Sequence, residues 1–454
     1  MTEPHAAPNA PDDNAAPPHP SFYEAFLWWL KLGFISFGGP AGQISIMHQE
    51  LVEKRRWISE RRFLHALNYC MVLPGPEAQQ LAIYIGWLLH RTWGGIVAGA
   101  LFVLPSLFIL AALTWVYLAY GDVPLVQGIF AGIKPAVVAI VLFAAWRIGS
   151  RALKNEVMWG IAALSFVAIF VFRIPFPFIV LGAALIGMAG GKFLPAKFAV
   201  GGGHGSADKR FGAAVIDDDT RLPHTRYNAA HLAKLLGAGL VLWVAGMLLL
   251  PAGTLSDIGE FFTKAALVTF GGAYAVLPYV YQGGVDSYGW LTGAQMIDGL
   301  ALGESTPGPL IMIVAFVGFV GAWTHQIFGS ENLFLAGFVG ASVATFFTFL
   351  PSFLFILAGG PLVESTHGDL KFTAPLSAIT AAVVGVILNL ALFFAWHVLW
   401  PRAAMETPFA GGFEWFPAVV AVAAFIALWK FKQDILRVLG VCAVLGLGWT
   451  LVGG

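Results

Sequence analysis

Two short stretches place glycine and proline in the middle of long apolar runs. They read "SFGGPAGQ" at 36–43 and "LPGPEAQQ" at 73–80. Glycine allows a sharp turn and exposes backbone amides, and proline suits the first turn of a new helix. The start of a helix presents free N–H groups and about half a positive charge, which together favour an anion. The two motifs therefore predict broken helices whose inner ends bind an anion.

Both motifs return 233 positions later in the chain. The second copies are Phe270-Gly271-Gly272 and Pro307-Gly308-Pro309, although Ala273 stands where the first copy has Pro40. A further "LPS" motif occurs at 104–106 and again at 350–352. A single copy would favour close helix packing with a simple kink over an anion site. The duplication of both motifs favours the anion site and predicts two structural repeats.

Side chains near the motifs have the chemistry to bind an oxyanion or to carry a proton. Lys31, Lys134 and Lys264 are cations in apolar context, where charge is costly unless it is paired or faces water. The alternative for them is snorkelling to the membrane interface. Glu77 and Glu304 flank the breaks and are predicted to exchange a proton, against a simple capping or hydrogen-bonding role.

The predicted substrate-binding residues combine these lysines with the break motifs and with neutral hydrogen-bonding groups beside them. They are Lys31, Phe37, Gly38, Gly39, Pro40, Gln43, Pro74, Gly75, Pro76, Gln79, Gln80, Lys134, Lys264, Thr269, Gly271, Gly272, Thr306, Pro307, Gly308 and Pro309.

The elements that position these residues follow from composition. The chain has 454 residues, of which 58% are hydrophobic and only 11% charged, whereas soluble domains are about 25% charged. Many nearly uncharged stretches are long enough to cross a bilayer of about 30 Å. The alternation typical of a membrane β-barrel is absent from the sequence. We therefore expect an all-α polytopic membrane protein with two inverted-topology repeats and broken or re-entrant helices at the FGGP and PGP motifs.

Hydropathy and Gly/Pro punctuation divide the chain into five parts. These are a disordered N-terminal tail at 1–21, a first repeat at 22–190, a cytoplasmic linker at 191–232, an extra transmembrane helix at 233–253, and a second, inverted repeat at 256–453.

Orientation follows from the lysines and arginines in short loops, which favour the cytoplasmic side. The loop at 48–62 carries five of them, and its counterpart at 282–295 carries none. The two repeats are therefore predicted to face opposite sides, with the N-terminus cytoplasmic and the C-terminus periplasmic. The pieces on either side of Pro74-Gly75-Pro76 span only about half a bilayer each, which favours re-entrant hairpins over 13 plain crossings.

The sequence around these motifs resembles the chromate ion transporter family. The stretch at 36–90 closely resembles the first domain of that family, and 266–282, 296–319 and "LPS" at 350–352 resemble its second domain. The family positions also include Glu50, Arg55 and Trp57. The resemblance implies the long two-domain form and export of chromate from the cytoplasm across a bacterial inner membrane. It further implies a secondary transporter, an antiporter driven by the proton gradient or by the membrane potential, with sulfate as a competitor and chromate resistance as the outcome.

Other function classes stay open or are disfavoured by the residues. The same half-helix chemistry would serve a sulfate or oxyanion uptake permease or an anion channel. No Ser/His arrangement, paired aspartates or metal spacing supports an enzyme, and we expect no cofactor and no metal. A formal net charge of zero gives no reason to expect nucleic acid. The expected partners are chromate and the lipid bilayer, and a homodimer is left open.

Overall fold

A computed structural model gives the fold of the protein and describes residues 16–37, 39–198, 211–270, 272–365, 373–402 and 409–452. Within these ranges the chain is almost entirely helical, and its one β pairing is an isolated bridge between Ile58 and Ile216. The first helices are α1 (Phe22–Ile35), α2 (Gly39–His48), α3 (Glu60–Val72), α4 (Glu77–Tyr120), α5 (Pro124–Ala152), α6 (Glu156–Phe170), α7 (Phe176–Phe193) and α8 (Pro195–Phe198).

The remaining helices follow from residue 229 onwards. They are α9 (Ala229–Leu249), α10 (Thr254–Val268), α11 (Ala273–Tyr281), α12 (Gly293–Ser305), α13 (Ile313–Thr324), α14 (Leu333–Ser365), α15 (Thr373–Leu399), α16 (Trp415–Trp429) and α17 (Ile435–Leu451).

Six helices in the described part are long and apolar enough to cross a membrane, namely α4, α5, α7, α9, α14 and α15. Four shorter apolar helices accompany them. Only 6% of the apolar window of α9 is buried against the rest of the protein, so most of this helix lies at the periphery. The prediction of an all-α polytopic membrane protein is confirmed.

Helices end and restart at each glycine–proline motif. The breaks lie between α1 and α2, between α3 and α4, between α10 and α11, and between α12 and a short 3₁₀ turn that leads into α13. Each break contains a glycine with positive φ, at +70° for Gly39, +121° for Gly75, +98° for Gly272 and +109° for Gly308. L-residues with a side chain rarely adopt such angles, which explains why glycine stands at these positions. Gly38 and Gly271 lie outside the described residues.

The two arms beside each break of the first half fold back on one another. Glu24 near the start of α1 forms an ion pair of 3.1 Å with Arg55, beyond the end of α2. The rings of Tyr69 on α3 and Tyr84 on α4 are 6.0 Å apart. Fifteen residues of continuous helix would separate those two tyrosines by about 22 Å. Both breaks are therefore the tips of helical hairpins.

The second half repeats this arrangement. Phe261 on α10 stacks on Tyr279 on α11, with ring centroids 4.8 Å apart. Trp290, just before α12, packs on Gly321 near the end of α13, where an added Cβ would lie 3.0 Å from the indole. These contacts join residues at similar distances before and after the breaks, so the second pair of breaks also forms hairpin tips.

Helix α4 itself contains a reversal at His90 and Arg91, whose backbone angles are not helical. The close packing of Gly86 and Gly94 shows the reversal, because a Cβ on Gly86 would lie 2.5 Å from the Gly94 carbonyl oxygen. The first arm, 77–90, pairs with α3, and the second arm, 92–120, is long enough to cross a bilayer.

The open ends of the hairpins in the two halves lie at opposite ends of α14. Near the C-terminal end of α14, Glu364 binds Arg62 of α3 at 3.0 Å and accepts a hydrogen bond of 2.6 Å from Tyr84. At the N-terminal end, Phe334 packs against Phe319 of α13 at 6.2 Å. A helix of 33 residues is about 50 Å long. The hairpins of the first half thus open toward one end of the molecule and α12–α13 toward the other.

The linker lies against the loop at 48–62 of the first half, which carries five lysines and arginines and is called the basic loop below. The N–H of Val215 donates to the carbonyl oxygen of Arg56, and the N–H of Ile216 donates to that of Trp57. In return, the Ser59 N–H donates to the Ile216 carbonyl oxygen at 3.0 Å. The two segments that the sequence predicts to be cytoplasmic therefore lie at the same end of the protein.

Candidate functional site

The four breaks meet as two pairs, and each pair joins the two halves of the chain. The Gly308 N–H donates to the Ser36 carbonyl oxygen at 2.8 Å, and the Gly75 N–H donates to the Thr269 carbonyl oxygen at 2.8 Å. Ser36 corresponds to Thr269, and Gly75 to Gly308, under the offset of 233 found in the sequence. The same hydrogen bond is thus made twice, reciprocally, and the hairpin tips form one interface between the two halves of the chain.

Four inner helix ends surround this interface. Helices α2, α4 and α11 begin directly after a break, and the 3₁₀ turn at Leu310–Met312 begins directly after Pro309. The first turn of a helix carries N–H groups without intrahelical partners and a partial positive charge. In surroundings of low dielectric constant these groups attract an anion more strongly than in water. The prediction of an anion site rests on these helix ends.

Two serines press against the break glycines. A Cβ on Gly75 would lie 2.6 Å from Ser352 Oγ, and a Cβ on Gly308 would lie 2.6 Å from Ser106 Cβ. Both serines are buried, and they end the two "LPS" motifs. Neither was among the predicted site residues, although the repetition of that motif was a signal for them.

Gln79 is the polar side chain at the breaks with the most unused hydrogen-bonding capacity. It is 0% exposed, and neither its Nε2 nor its Oε1 has a hydrogen-bond partner among the described residues. Gln80 Oε1 and Ser106 Oγ are also buried without such a partner. An unsatisfied buried polar group costs about 1–3 kcal/mol. These atoms are therefore available to a ligand or to water.

Other predicted hydrogen-bonding groups are occupied by the protein itself. Gln43 Nε2 donates to the carbonyl oxygens of Gly308 at 2.6 Å and Ser36 at 3.3 Å, so it ties the first and fourth breaks together. The hydroxyls of Thr269 and Thr306 donate to carbonyl oxygens within their own helices. Gln80 Nε2 donates to the Pro74 carbonyl oxygen at 2.8 Å. These four side chains shape the breaks in this conformation and do not present free donors to a ligand.

The remaining predicted residues of the break motifs lie at the hairpin tips themselves. Those that the structure describes are Phe37, Gly39, Pro40, Pro74, Gly75, Pro76, Gly272, Pro307, Gly308 and Pro309.

The two predicted proton-carrying carboxylates differ in their surroundings. Glu304, in the last turn of α12, is 7% exposed and accepts a hydrogen bond of 2.5 Å from the Tyr274 hydroxyl. Arg147 lies within electrostatic reach of Glu304. Glu77, in the first turn of α4, is half-buried and forms no hydrogen bond or ion pair with any other described residue. Glu304 is therefore held in place, whereas Glu77 is free to interact with a ligand.

The three predicted lysines do not gather at the breaks. Lys31 and Lys264 are exposed on the first arms of their hairpins, and Lys264 forms an ion pair with Glu260 one turn away. Lys134 on α5 pairs with Asp298 on α12, with 3.4 Å between Nζ and Oδ2. The positive charge at the breaks therefore comes from helix ends and not from these ammonium groups.

The basic loop of the first half is organised around Arg55. Its Nε donates to Glu50 Oε1 at 3.0 Å, and its guanidinium lies 5.0 Å from the ring centre of Trp57. Partial burial raises the pKa of Glu50, but the hydrogen bonds from Arg55 and Lys54 outweigh it and hold that pKa below its ordinary value. The three family positions Glu50, Arg55 and Trp57 thus form one cluster that stiffens the open end of the first hairpin.

Comparison with protein families gives a match to both halves of the chain. A family model described as "Chromate transporter" matches residues 23–188 and 256–447. The two matched ranges fall on the two sides of the linker and α9.

Individual relatives match over nearly their whole length. A protein named chromate transport protein from Pseudomonas aeruginosa is 32% identical over 435 residues, which is 94% of this chain and 92% of the relative. A protein of the same name from Cupriavidus metallidurans is 29% identical over 439 residues, covering 94% of each. An uncharacterised transporter of Methanocaldococcus jannaschii is 25% identical over 430 residues, with 94% of each covered. No solved structure matches the chain.

Proposed function

Because the chain belongs to the chromate transporter family, we propose that it exports chromate from the cytoplasm as a secondary active transporter. Two full-length relatives carry the name chromate transport protein. Chromate is a tetrahedral oxyanion with two negative charges, and sulfate has the same shape and charge, so sulfate is the expected competitor. The observation that carries the proposal is the meeting of four helix breaks around buried, unpartnered polar atoms.

Chromate binds between the paired breaks in this proposal. The inner ends of α2, α4, α11 and the 3₁₀ turn before α13 supply backbone N–H groups and partial positive charge. The unpartnered Nε2 of Gln79 and hydroxyl of Ser106 donate to chromate oxygens. Backbone dipoles supply this positive potential without an ionised side chain. Burial of an ionised side chain at this depth of a membrane would cost free energy. Lys31 and Lys264 attract the anion from the surface toward the breaks.

The repeats face opposite sides of the membrane in this proposal. Support comes from the opposite open ends of the hairpins along α14. The basic loop and the linker lie together at one end, which we assign to the cytoplasm by the preference of Lys and Arg for that side. The protein then lies in a bacterial inner membrane with its N-terminus cytoplasmic and its C-terminus periplasmic. Transporters with inverted repeats alternate access by movement of one repeat against the other around a central site.

The membrane potential, the proton gradient or both drive the export. A negative charge that moves outward across a membrane with a negative interior releases about 2.3 kcal/mol per 100 mV of membrane potential. A dianion therefore releases roughly twice that amount. Glu77 and Glu304 are the proposed proton carriers at the breaks. Glu77 lies on the first turn after Pro76 without a partner among the described residues, where a proton and the anion can both reach it.

The test is uptake of radiolabelled chromate into inverted membrane vesicles, with and without an imposed proton gradient, using wild type and Glu77→Gln. We expect wild type to concentrate chromate and sulfate to compete with it. Glu77→Gln should insert normally, but its chromate uptake should no longer respond to the pH gradient. The reason is that the amide of glutamine neither binds nor releases a proton as a carboxyl group does. A wild-type rate for this variant at every pH would refute the coupling role.

The same assay separates the competing functions. Accumulation of chromate beyond the level set by the membrane potential excludes an anion channel, which only brings its ion to electrochemical equilibrium. Accumulation in right-side-out vesicles instead of inverted ones would indicate an uptake permease. If neither preparation moves chromate while both move sulfate, the substrate assignment fails.

A further inference from the structure

A buried group of three side chains joins the two halves of the chain away from the breaks. Asp298 lies on α12, and Tyr117 and Lys134 lie on α4 and α5. Asp298 Oδ2 accepts a hydrogen bond of 2.8 Å from the Tyr117 hydroxyl and lies 3.4 Å from Lys134 Nζ. Asp298 is 3% exposed, yet its Oδ1 has no hydrogen-bond partner in the part of the chain that the structure describes. A carboxylate is thus held with only one of its oxygens satisfied.

The two charged members of the group differ in their freedom to leave it. The side chain of Lys134 is 35% exposed, whereas that of Asp298 is 4% exposed. Lys134 can therefore withdraw toward the surface, and Asp298 cannot. An isolated carboxylate in such a position is far more costly than a neutral carboxylic acid. Asp298 must then take up a proton whenever Lys134 leaves.

We propose that Asp298 is a further proton-binding site of the transport cycle and that Lys134 controls its occupancy. The inference rests on the proposed function. A proton from water binds Asp298 Oδ1 as the ammonium group of Lys134 leaves, and Lys134 itself stays protonated. Its released positive charge is then balanced by the transported dianion. When the ion pair forms again, the proton returns to water, so one proton is taken up for each oxyanion bound and leaves with it. The membrane potential, acting on the net negative charge that remains, drives this step.

Two neighbouring side chains set the protonation of Asp298. Lys134 from α5 and Tyr117 from α4 are the charged and titratable groups that act on it among the described residues. Helices α13, α15 and α17 also pack against α12. The titratable His397 of α15 lies beside Gly293, five residues before Asp298, and is not among the described groups that act on Asp298. A transported anion would be repelled by the carboxylate, and a metal cation would have to displace the ammonium group. A proton is the ligand that fits.

A second ion pair between the repeats offers a matched control. Glu364 of α14 pairs with Arg62 of α3 at 3.0 Å, and both side chains are covered to a similar degree, at 11% and 15% exposed. Tyr84 donates to the same carboxylate, as Tyr117 does to Asp298. Because neither member is free to withdraw, this pair stays formed and takes up no proton.

Proton uptake by the purified protein tests the inference directly. Chromate is added to wild type in weak buffer with a pH-sensitive dye, and a protein-free blank removes the buffering of the anion itself. Wild type should take up about one proton more per bound anion than Asp298→Asn. Lys134→Gln should lose the same proton, because Asp298 is then already neutral before the anion arrives. Glu364→Gln should keep the wild-type count.

Equal proton uptake by wild type and Asp298→Asn would overturn the inference, since a purely structural ion pair alters stability and not the proton count. If a single variant fails to purify as one species, the neutral double variant Lys134→Gln with Asp298→Asn replaces it and should lose the proton too. Chromate flux by the same wild-type sample separates the two proposals. Flux without proton uptake refutes only the Asp298 site, and absence of flux refutes the proposed function.

Discussion

At the scale of single residues, the site depends on polar groups whose partners are fixed by the fold. The Tyr274 hydroxyl holds Glu304 at 2.5 Å in the last turn of α12. Gln79, by contrast, is buried, and neither end of its amide has a hydrogen-bond partner in the described part of the chain. The first arrangement stabilises the protein, and the second leaves hydrogen-bonding capacity for a ligand.

Replacement of Tyr274 by Phe should destabilise the protein by about 1–3 kcal/mol, because Glu304 is left buried without its donor. Thermal unfolding of the detergent-solubilised protein measures the loss. Tyr279→Phe is the control, since the Tyr279 hydroxyl is half-buried and bonds to no other described residue. Equal unfolding temperatures for the two variants would contradict the assigned hydrogen bond.

At the scale of elements, the hairpin tips depend on glycines in backbone conformations that other residues avoid. Gly75 combines a φ of +121° with close contact, since an added Cβ would lie 2.6 Å from Ser352 Oγ and 2.7 Å from Gln80 Nε2. Its N–H also donates across the interface to Thr269. One position therefore sets the turn, the packing and the contact between the two halves of the chain.

Gly75→Ala should lower the free energy of unfolding by about 1–3 kcal/mol through backbone strain alone and should reduce chromate flux, because the tip must shift. Gly182→Ala on α7 is the matched control, with open space around the added Cβ, and should lower neither the stability nor the flux, because alanine suits a helix interior better than glycine. Thermal unfolding and vesicle flux give the two readouts. Full flux in Gly75→Ala would show that the tip does not need this conformation.

At the scale of the whole molecule, the hairpins of the two halves open toward opposite ends. The pairing of Glu364 with Arg62 marks one end of α14, and the packing of Phe334 on Phe319 marks the other. The reciprocal hydrogen bonds at the breaks lie between these ends. The arrangement predicts which surface positions share a side of the membrane.

Single cysteines at Arg61, Trp93 and Asp286, which are exposed positions, test this arrangement in a background without Cys70 and Cys442. A membrane-impermeant maleimide should label 61 and 93 from the cytoplasmic side and 286 from the periplasmic side. Labelling of 61 and 93 from opposite sides would indicate that 63–90 crosses the membrane as a continuous span. Labelling of all three from one side would refute the inverted repeat.

Local patterns of residues specify the helical membrane fold and the places where helices break. Hydropathy reflects the cost of placing polar groups in lipid, and the occurrence of glycine and proline reflects the preferred backbone conformation. Each of these two properties belongs to single residues, so it can be read locally. The constant offset between the copies likewise needed no structure. The positions of Gly39, Gly75, Gly272 and Gly308 could therefore be read in advance.

The packing of distant segments, by contrast, sets which breaks meet and which side chains are used. The pairing of Gly308 with Ser36 and of Gly75 with Thr269 joins residues far apart in sequence, and no local pattern specifies such a contact. Lys134 was predicted as a ligand of the anion, but it lies against Asp298, because the packing of α5 on α12 supplies a carboxylate at 3.4 Å. Gln79 and Gln80 are neighbours of one residue type, yet packing leaves the first unpartnered at both ends and engages Nε2 of the second.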